Sequence, residues 1–191
     1  MTTIAFANGK GGAGKTTVTM CVAMALSGAG KRVAVADRDP QGTSLIWTRQ
    51  VATANGPFIY EPGQLYDVIL IDTPPRLDSP EVRSAIEQAD KTILVTSPSP
   101  TDLWTTRATA DLVAAIRGPN SRIALLFNQV QTGTVLCREL DHLAEKVGVK
   151  PLFNNIRRRQ CYQHASILGW SALPLRAQEE IIAIVSDIAA L

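Results

Sequence analysis

The segment Gly9-Lys10-Gly11-Gly12-Ala13-Gly14-Lys15-Thr16 fits the pattern G-x-x-x-x-G-K-[ST], placed directly after an apolar run and directly before an amphipathic one. Those residue types at that spacing suit the binding of a triphosphate, whose several negative charges need many donors. Glycines at 11, 12 and 14, with the small Ala13, let the backbone curl until successive N–H groups point inward. The helix expected to begin at Lys15, Thr16 and Thr17 adds the partial positive charge of its N-terminus. Lys15 then neutralises the outer phosphates, and the Thr16 hydroxyl takes one position on a bridging magnesium ion.

Acids follow at two places where such an ion could use them. Asp37-Arg38-Asp39-Pro40-Gln41-Gly42 comes after a second apolar run, and Asp72-Thr73-Pro74-Pro75 ends a third, Val68-Ile69-Leu70-Ile71. In a doubly wound sheet such strand ends share the crevice of the phosphate loop. Two carboxylates there can serve the magnesium shell and orient a water for in-line attack. Read alone, Asp-Pro is ordinary turn chemistry, and Asp72 also suits a helix cap. A charged terminus on a buried strand is nevertheless costly unless it meets a cation.

The elements that must hold these groups alternate along the chain. Short β-branched runs predict strands near residues 3–7, 32–36, 67–71, 92–96 and 123–128, with a further one at 149–153. Between and after them, helices are expected at about 15–28, 43–53, 80–89, 102–117, 134–147, 158–168 and 176–190. Val18, Cys21, Val22 and Ala25 fall on one face of the first helix, and Ile181, Ile184, Val185 and Ile188 on one face of the last. The uninterrupted apolar strands suit a sheet covered on both sides. The predicted fold is therefore α/β: a single doubly wound P-loop domain over 1–191, with a mostly parallel central sheet flanked by helices on both faces.

Composition agrees with a globular chain. Of 191 residues 46% are apolar and 19% charged, which excludes a disordered polyelectrolyte. The net charge of +2 is too balanced to announce a nucleic-acid partner, so any basic surface must be local. Three dispersed cysteines, without a C-x-x-C pair, argue against a disulfide framework or a cysteine-held metal. No apolar run approaches the ~18 residues of a membrane span, and no secretory leader is visible, so a cytoplasmic location is expected.

Lys10, at the head of Lys-Gly-Gly-Ala-Gly-Lys-Thr-Thr, narrows the reading: this loop resembles the deviant Walker A loop of the ParA/MinD family of ATPases. The Asp37–Gln41 segment, the strand ending in Asp72, Ser97-Pro98-Ser99-Pro100-Thr101-Asp102 and Phe127-Asn128 extend the likeness over most of the chain, which looks most like the small, plasmid-type (ParF-like) members. Thr101 and Asp102 also suit a plain helix cap. The resemblance implies that ATP is sandwiched between two subunits, with Lys10 reaching across to the partner's nucleotide. It further implies Lys10, Lys15 and Asp39 as catalytic, Asp39 positioning the attacking water. Asp37 would support the magnesium shell, Asp72 would hold the ion through water opposite Thr16, and Asn128 would contact adenine.

Arg157-Arg158-Arg159 opens a predicted helix, and by the same likeness could contact DNA phosphates without reading bases; a solvated face is the plainer explanation of such a run. No helix-turn-helix precedes the loop, and the C-terminal segment Gln178–Ile188 has acids but no lysine or arginine, unlike a membrane-targeting helix. The expected function is an ATP-dependent homodimer that binds nonspecific DNA, associates with the nucleoid and segregates plasmid or chromosomal DNA. A centromere-binding partner would stimulate its slow hydrolysis. Two alternatives remain open here: the same switch positioning a protein cargo through a cargo adaptor, such as a chemosensory cluster or microcompartment, or a metabolic P-loop ligase.

Overall fold

The computed structural model describes residues 1–191. Six strands form one sheet: β1 (Thr2–Ala7), β2 (Val33–Asp37), β3 (Phe58–Ile59), β4 (Val68–Asp72), β5 (Lys91–Thr96) and β6 (Ile123–Phe127), in the order β3-β2-β4-β1-β5-β6. Every pairing is parallel, so the sheet is wholly rather than mostly parallel. Around it lie α1 (Lys15–Gly28), α2 (Thr43–Val51), α3 (Pro80–Gln88), α4 (Pro100–Arg117), α5 (Val135–Arg138), α6 (Leu140–Val147), α7 (Cys161–Leu168) and α8 (Leu175–Ala190).

Side-chain alternation divides the core. Ile4 and Phe6 of β1 point to one face, among Val18, Cys21 and Val22 of α1 and Ile181, Ile184 and Ile188 of α8. Ala7 joins Val82, Ile86, Leu103 and Val113 of α3 and α4 in a cluster on the other, and Ala5 meets Ala85. Connections to the left of β1 pass over one face and those to its right over the other, as right-handed crossovers require. The chain reverses direction at β1, which places a crevice at its carboxyl end.

Helix α1 is not amphipathic in the expected manner. Val18 to Met24 are all buried, because α1 is enclosed by the sheet and by α2, α7 and α8. The predicted strand at 149–153 reduces to one bridge, Leu125 to Pro151. Its neighbours still bond to β6 through Leu125 N–H to the Lys150 carbonyl and Leu152 N–H to that of Leu125, but Pro151 has no N–H to extend a ladder. The helix predicted at 134–147 breaks at Glu139, whose N–H bonds only three residues back to Leu136. Leu136, Cys137 and Leu140 thereby all lean on one core cluster.

Arg157–Arg159 do not open a helix. The chain from Ile156 to Arg158 stays extended along the segment after β6, with Ile156 N–H bonded to Phe127 and Arg158 N–H to Val130, and α7 starts only at Cys161. The two-residue β3 is too short to leave a periodic signal in the sequence.

Candidate functional site

The loop between β1 and α1 turns on Gly12 and Gly14, at φ 80° and 90°, where a side chain would be strained. A Cβ at Gly14 would also fall 2.2 Å from Asn128 Nδ2. The first bond within α1 runs from Val18 N–H to the Gly14 carbonyl. The amides before it have no partner in the helix and remain available to an anion. Lys15, only 6% exposed, directs its Nζ to the Lys10 carbonyl at 3.3 Å. Burial lowers its pKa, an effect tempered by the nearby charges of Asp72 and Asp39.

β4 pairs with β1 and brings Asp72 beside Phe6, within reach of the first turn of α1. Thr16 donates its hydroxyl to Asp72 Oδ2 at 2.7 Å, whereas Oδ1 is buried without any hydrogen-bond partner. Burial pushes the Asp72 carboxyl up to about 7 against the opposing bond from Thr16, with the like charge of Asp37 adding to the rise. An orphaned carboxylate oxygen is costly in such a place. A hydrated magnesium ion beside Thr16 suits it, since that ion keeps several waters and needs few protein ligands when phosphates supply the rest. The residues present therefore fit ATP with Mg²⁺.

Asp39 joins Gly11, Gly12, Lys15 and Thr16 in lining a cavity of about 300 Å³. Asp37 stands one step behind it. Its Oδ1 accepts from Asp39 N–H at 2.9 Å and its Oδ2 from Leu45 N–H at 3.1 Å, so its direct task is to hold the loop carrying Asp39. Thr73 donates to the Phe6 carbonyl at 2.8 Å and ties the end of β4 to β1.

A second cavity of about 480 Å³ opens on the other side of Gly14, lined by Thr17, Asn128, Gln129, Arg157–Arg159 and Tyr162 among others. Asn128 donates its amide to the Ala13 carbonyl at 2.8 Å and accepts Gln129 N–H with its oxygen, so its observed partners are backbone groups. Gln129, which sequence reasoning missed, holds the adjacent Gly12 carbonyl at 2.9 Å and takes a left-handed φ of 58°. The arginine triplet is not a uniform basic face. Arg159 bonds to Glu180, Arg157 lies 3.7 Å from the same carboxylate, and exposed Arg158 makes no ion pair. Asp102 is no helix cap either: Ser99 occupies the N-cap of α4, and Asp102 binds Lys10 Nζ at 2.9 Å.

A glycine-rich loop between a central parallel strand and a buried helix, with an acid at the end of the adjacent strand, defines a P-loop nucleotide-binding protein. The chain belongs to the CobQ/CobB/MinD/ParA nucleotide binding domain family (CbiA), which residues 4–167 match, as a ParA/MinD-type ATPase. It is 32% identical to maintenance of carboxysome distribution protein A of Halothiobacillus neapolitanus over 192 residues, covering 92% of this chain and 88% of that protein. Among solved structures it is similar to apo McdA from Cyanothece, with a TM-score of 0.80, 17% identity and 99% of each chain covered. It is also similar to the MinD cell division protein of Aquifex aeolicus, at a TM-score of 0.77 and 17% identity, covering 100% of this chain and 98% of that one. At those identities the structural likeness concerns the fold.

Proposed function

We propose that this chain is an ATP-driven dimeric switch that positions a protein cargo of the microcompartment class. The observation that carries the cargo is the 32% identity, over nearly the whole chain, to a relative named for carboxysome distribution. This places the cargo reading ahead of the expectation of plasmid or chromosome segregation.

In this reading the amides of Gly11 to Thr17 and the Lys15 ammonium bind the phosphates, and Asp39 orients a water for in-line attack. Thr16, and Asp72 at one remove, would hold magnesium, which when bound would supply positive charge to offset that of the phosphates. The partner subunit's Lys10 supplies a cation in trans, comparable to an arginine finger. Hydrolysis is slow until an adaptor protein completes or orders the site. Asn128 and Gln129 hold the phosphate loop in place, and Asn128 borders the space for the base.

DNA is kept as the track on which the switch moves, because Arg158 is exposed and free of any carboxylate. Deleting the gene in its host and imaging both compartments and plasmids tests the reading. Clustered compartments with normal plasmid inheritance support it; evenly spaced compartments with plasmid loss overturn it in favour of segregation.

A further inference from the structure

Helices α1, α2 and α7 pack on one another and end around one cleft of about 750 Å³, which their last residues, Gly28, Val51 and Leu168, all line. Helix α1, 14 residues long, separates this cleft from the phosphate loop. Each of the three directs the negative end of its dipole into it. The amides of Ala29 and Gly30 cap α1 and that of Gly169 caps α7, but no backbone N–H caps the last turn of α2. Helix α8 approaches with its N-terminal turn, yet the Gln178 side-chain amide it brings is taken by the Leu173 carbonyl at 2.8 Å and the Trp170 carbonyl at 3.4 Å. None of the residues that line the cleft carries a charge. Arg49, the one basic residue in the last turns of the three helices, is exposed and lies outside it.

Ser27, in the wall of the cleft, is only 6% exposed, and its Oγ has no hydrogen-bond partner. A buried hydroxyl left unpaired is costly, and it can accept a bond from a donor. The same cleft has apolar surface: Ile167 and Leu168 are each 66% exposed, and Trp170 adds an aromatic ring, a group that attracts cations. Acceptors and partial negative charge without a cation, set beside apolar side chains, complement a ligand with a cationic head and a hydrocarbon stem.

We propose that this cleft binds a small organic cation, an alkylguanidinium or alkylammonium, with its head at the helix ends beside Ser27 and its stem along Ile167 and Leu168. Its occupancy is read at the nucleotide site through α2. Thr43, the first residue of α2, lines the phosphate cavity with Asp39, and Leu45 N–H is bonded to Asp37 Oδ2, while Gln50 and Val51 line the cleft. Between these ends Ser44 Oγ and Trp47 Nε1 are buried without partners, and Thr48 Oγ1 donates to the Ser44 carbonyl of its own helix. The buried polar atoms of α2 thus give it no strong directional hold on its neighbours, and a small shift of the helix is cheap. A cation at its C-terminal end orders α2 and the loop that Asp37 anchors, so cation and nucleotide tighten each other's binding by the same factor. This is independent of what the switch carries.

Backbone amide resonances of the full chain, followed during titration with butylguanidinium, butanol or potassium chloride at constant ionic strength, test the site. Butylguanidinium shifts Ser27, Gln50 to Thr53 and Ile167 to Ser171 and binds roughly 5-fold or more tighter than butanol. Shifts centred elsewhere, or equal affinity for butanol, overturn the site, and an equal response to potassium overturns the organic ligand. Acetyl-arginine methylamide, which carries the head as a protein chain does, binds more weakly; tighter binding would reassign the cleft to a protein side chain. Gln50→Lys, a change at an exposed position, puts the chain's own ammonium at the end of α2 and weakens butylguanidinium binding by roughly 5-fold or more, whereas Gln50→Glu strengthens it; no response in either variant overturns the proposal. Lys15→Ala still binds the cation, and loss of binding there would place the probe at the phosphate site instead. Affinity for a non-hydrolysable ATP analogue with magnesium rises roughly 5-fold at saturating butylguanidinium in the parent chain and not in Gln50→Lys. An unchanged or lowered affinity in the parent chain overturns the coupling through α2.

Discussion

Thr16 and Asp72, 56 positions apart in sequence, share a 2.7 Å hydrogen bond that joins the first turn of α1 to the end of β4. It is the one bond made by a carboxylate with no exposure to solvent, since its other oxygen has none. The site is thus assembled around a group that the chain's own residues leave incompletely hydrogen-bonded.

Removing that bond should be felt with and without nucleotide. Thr16→Ala is expected to destabilise the nucleotide-free chain by about 1–3 kcal/mol, because it leaves Asp72 without a partner. It should also abolish the further rise in melting temperature that magnesium and ATP confer. Thr16→Ser should retain both, as thermal denaturation with and without magnesium-ATP would show.

Gly14→Ala meets two obstacles: a φ of 90° and a Cβ only 2.2 Å from Asn128 Nδ2. The left-handed conformation alone costs about 1–2 kcal/mol for an alanine. Adding Asn128→Ala removes the steric conflict but not the strain. Nucleotide affinity, measured by titration, should therefore fall sharply in the single variant and recover only in part in the double.

Asp39 lines the phosphate cavity from the β2 side, and its loop is held by Asp37. Asp39→Ala should lower turnover by about 10²-fold or more while leaving nucleotide binding within a few-fold, so the ATP-bound dimer accumulates. Lys15→Ala should lose nucleotide binding itself. Phosphate release and sedimentation of the two variants distinguish the steps.

Glu180 gathers Arg159 and the Tyr162 hydroxyl, which donates to it at 2.8 Å. Burial would raise this carboxyl, but the bonds from Arg159 and Tyr162 prevail and hold it below its ordinary 4.5. The unfolded chain then binds the proton more readily. The contribution of Glu180 to stability is present above about pH 4.5 and is lost as pH falls through the lower folded value. Denaturant midpoints between pH 6 and pH 3 should decline less steeply for Glu180→Gln than for the parent chain.

Much of this protein was legible from local pattern. The phosphate loop needs consecutive residues of particular types, so Gly9 to Thr16 identify it without a fold, and the apolar run before Asp72 marks a buried strand by its composition alone. Helix α8 buries the face its apolar spacing predicts, whereas α1 lies where it is expected but is enclosed well beyond the predicted face. Local pattern misleads where a backbone partner comes from afar: Pro151 interrupts a run that reads as a strand, and Arg157 reads as helical although Val130 and Phe127 hold its segment extended.

What the residues do within the site was decided by the tertiary structure. Type and spacing determined that this chain binds a nucleoside triphosphate, because phosphate recognition resides in one short stretch of backbone. Only the fold could bring Asp102 to Lys10, Gln129 to Gly12 and Glu180 to Arg159, since each pair joins loop residues to partners distant in sequence. An aspartate that caps a helix and one that holds a lysine look alike in sequence; which oxygen meets which cation is determined by packing.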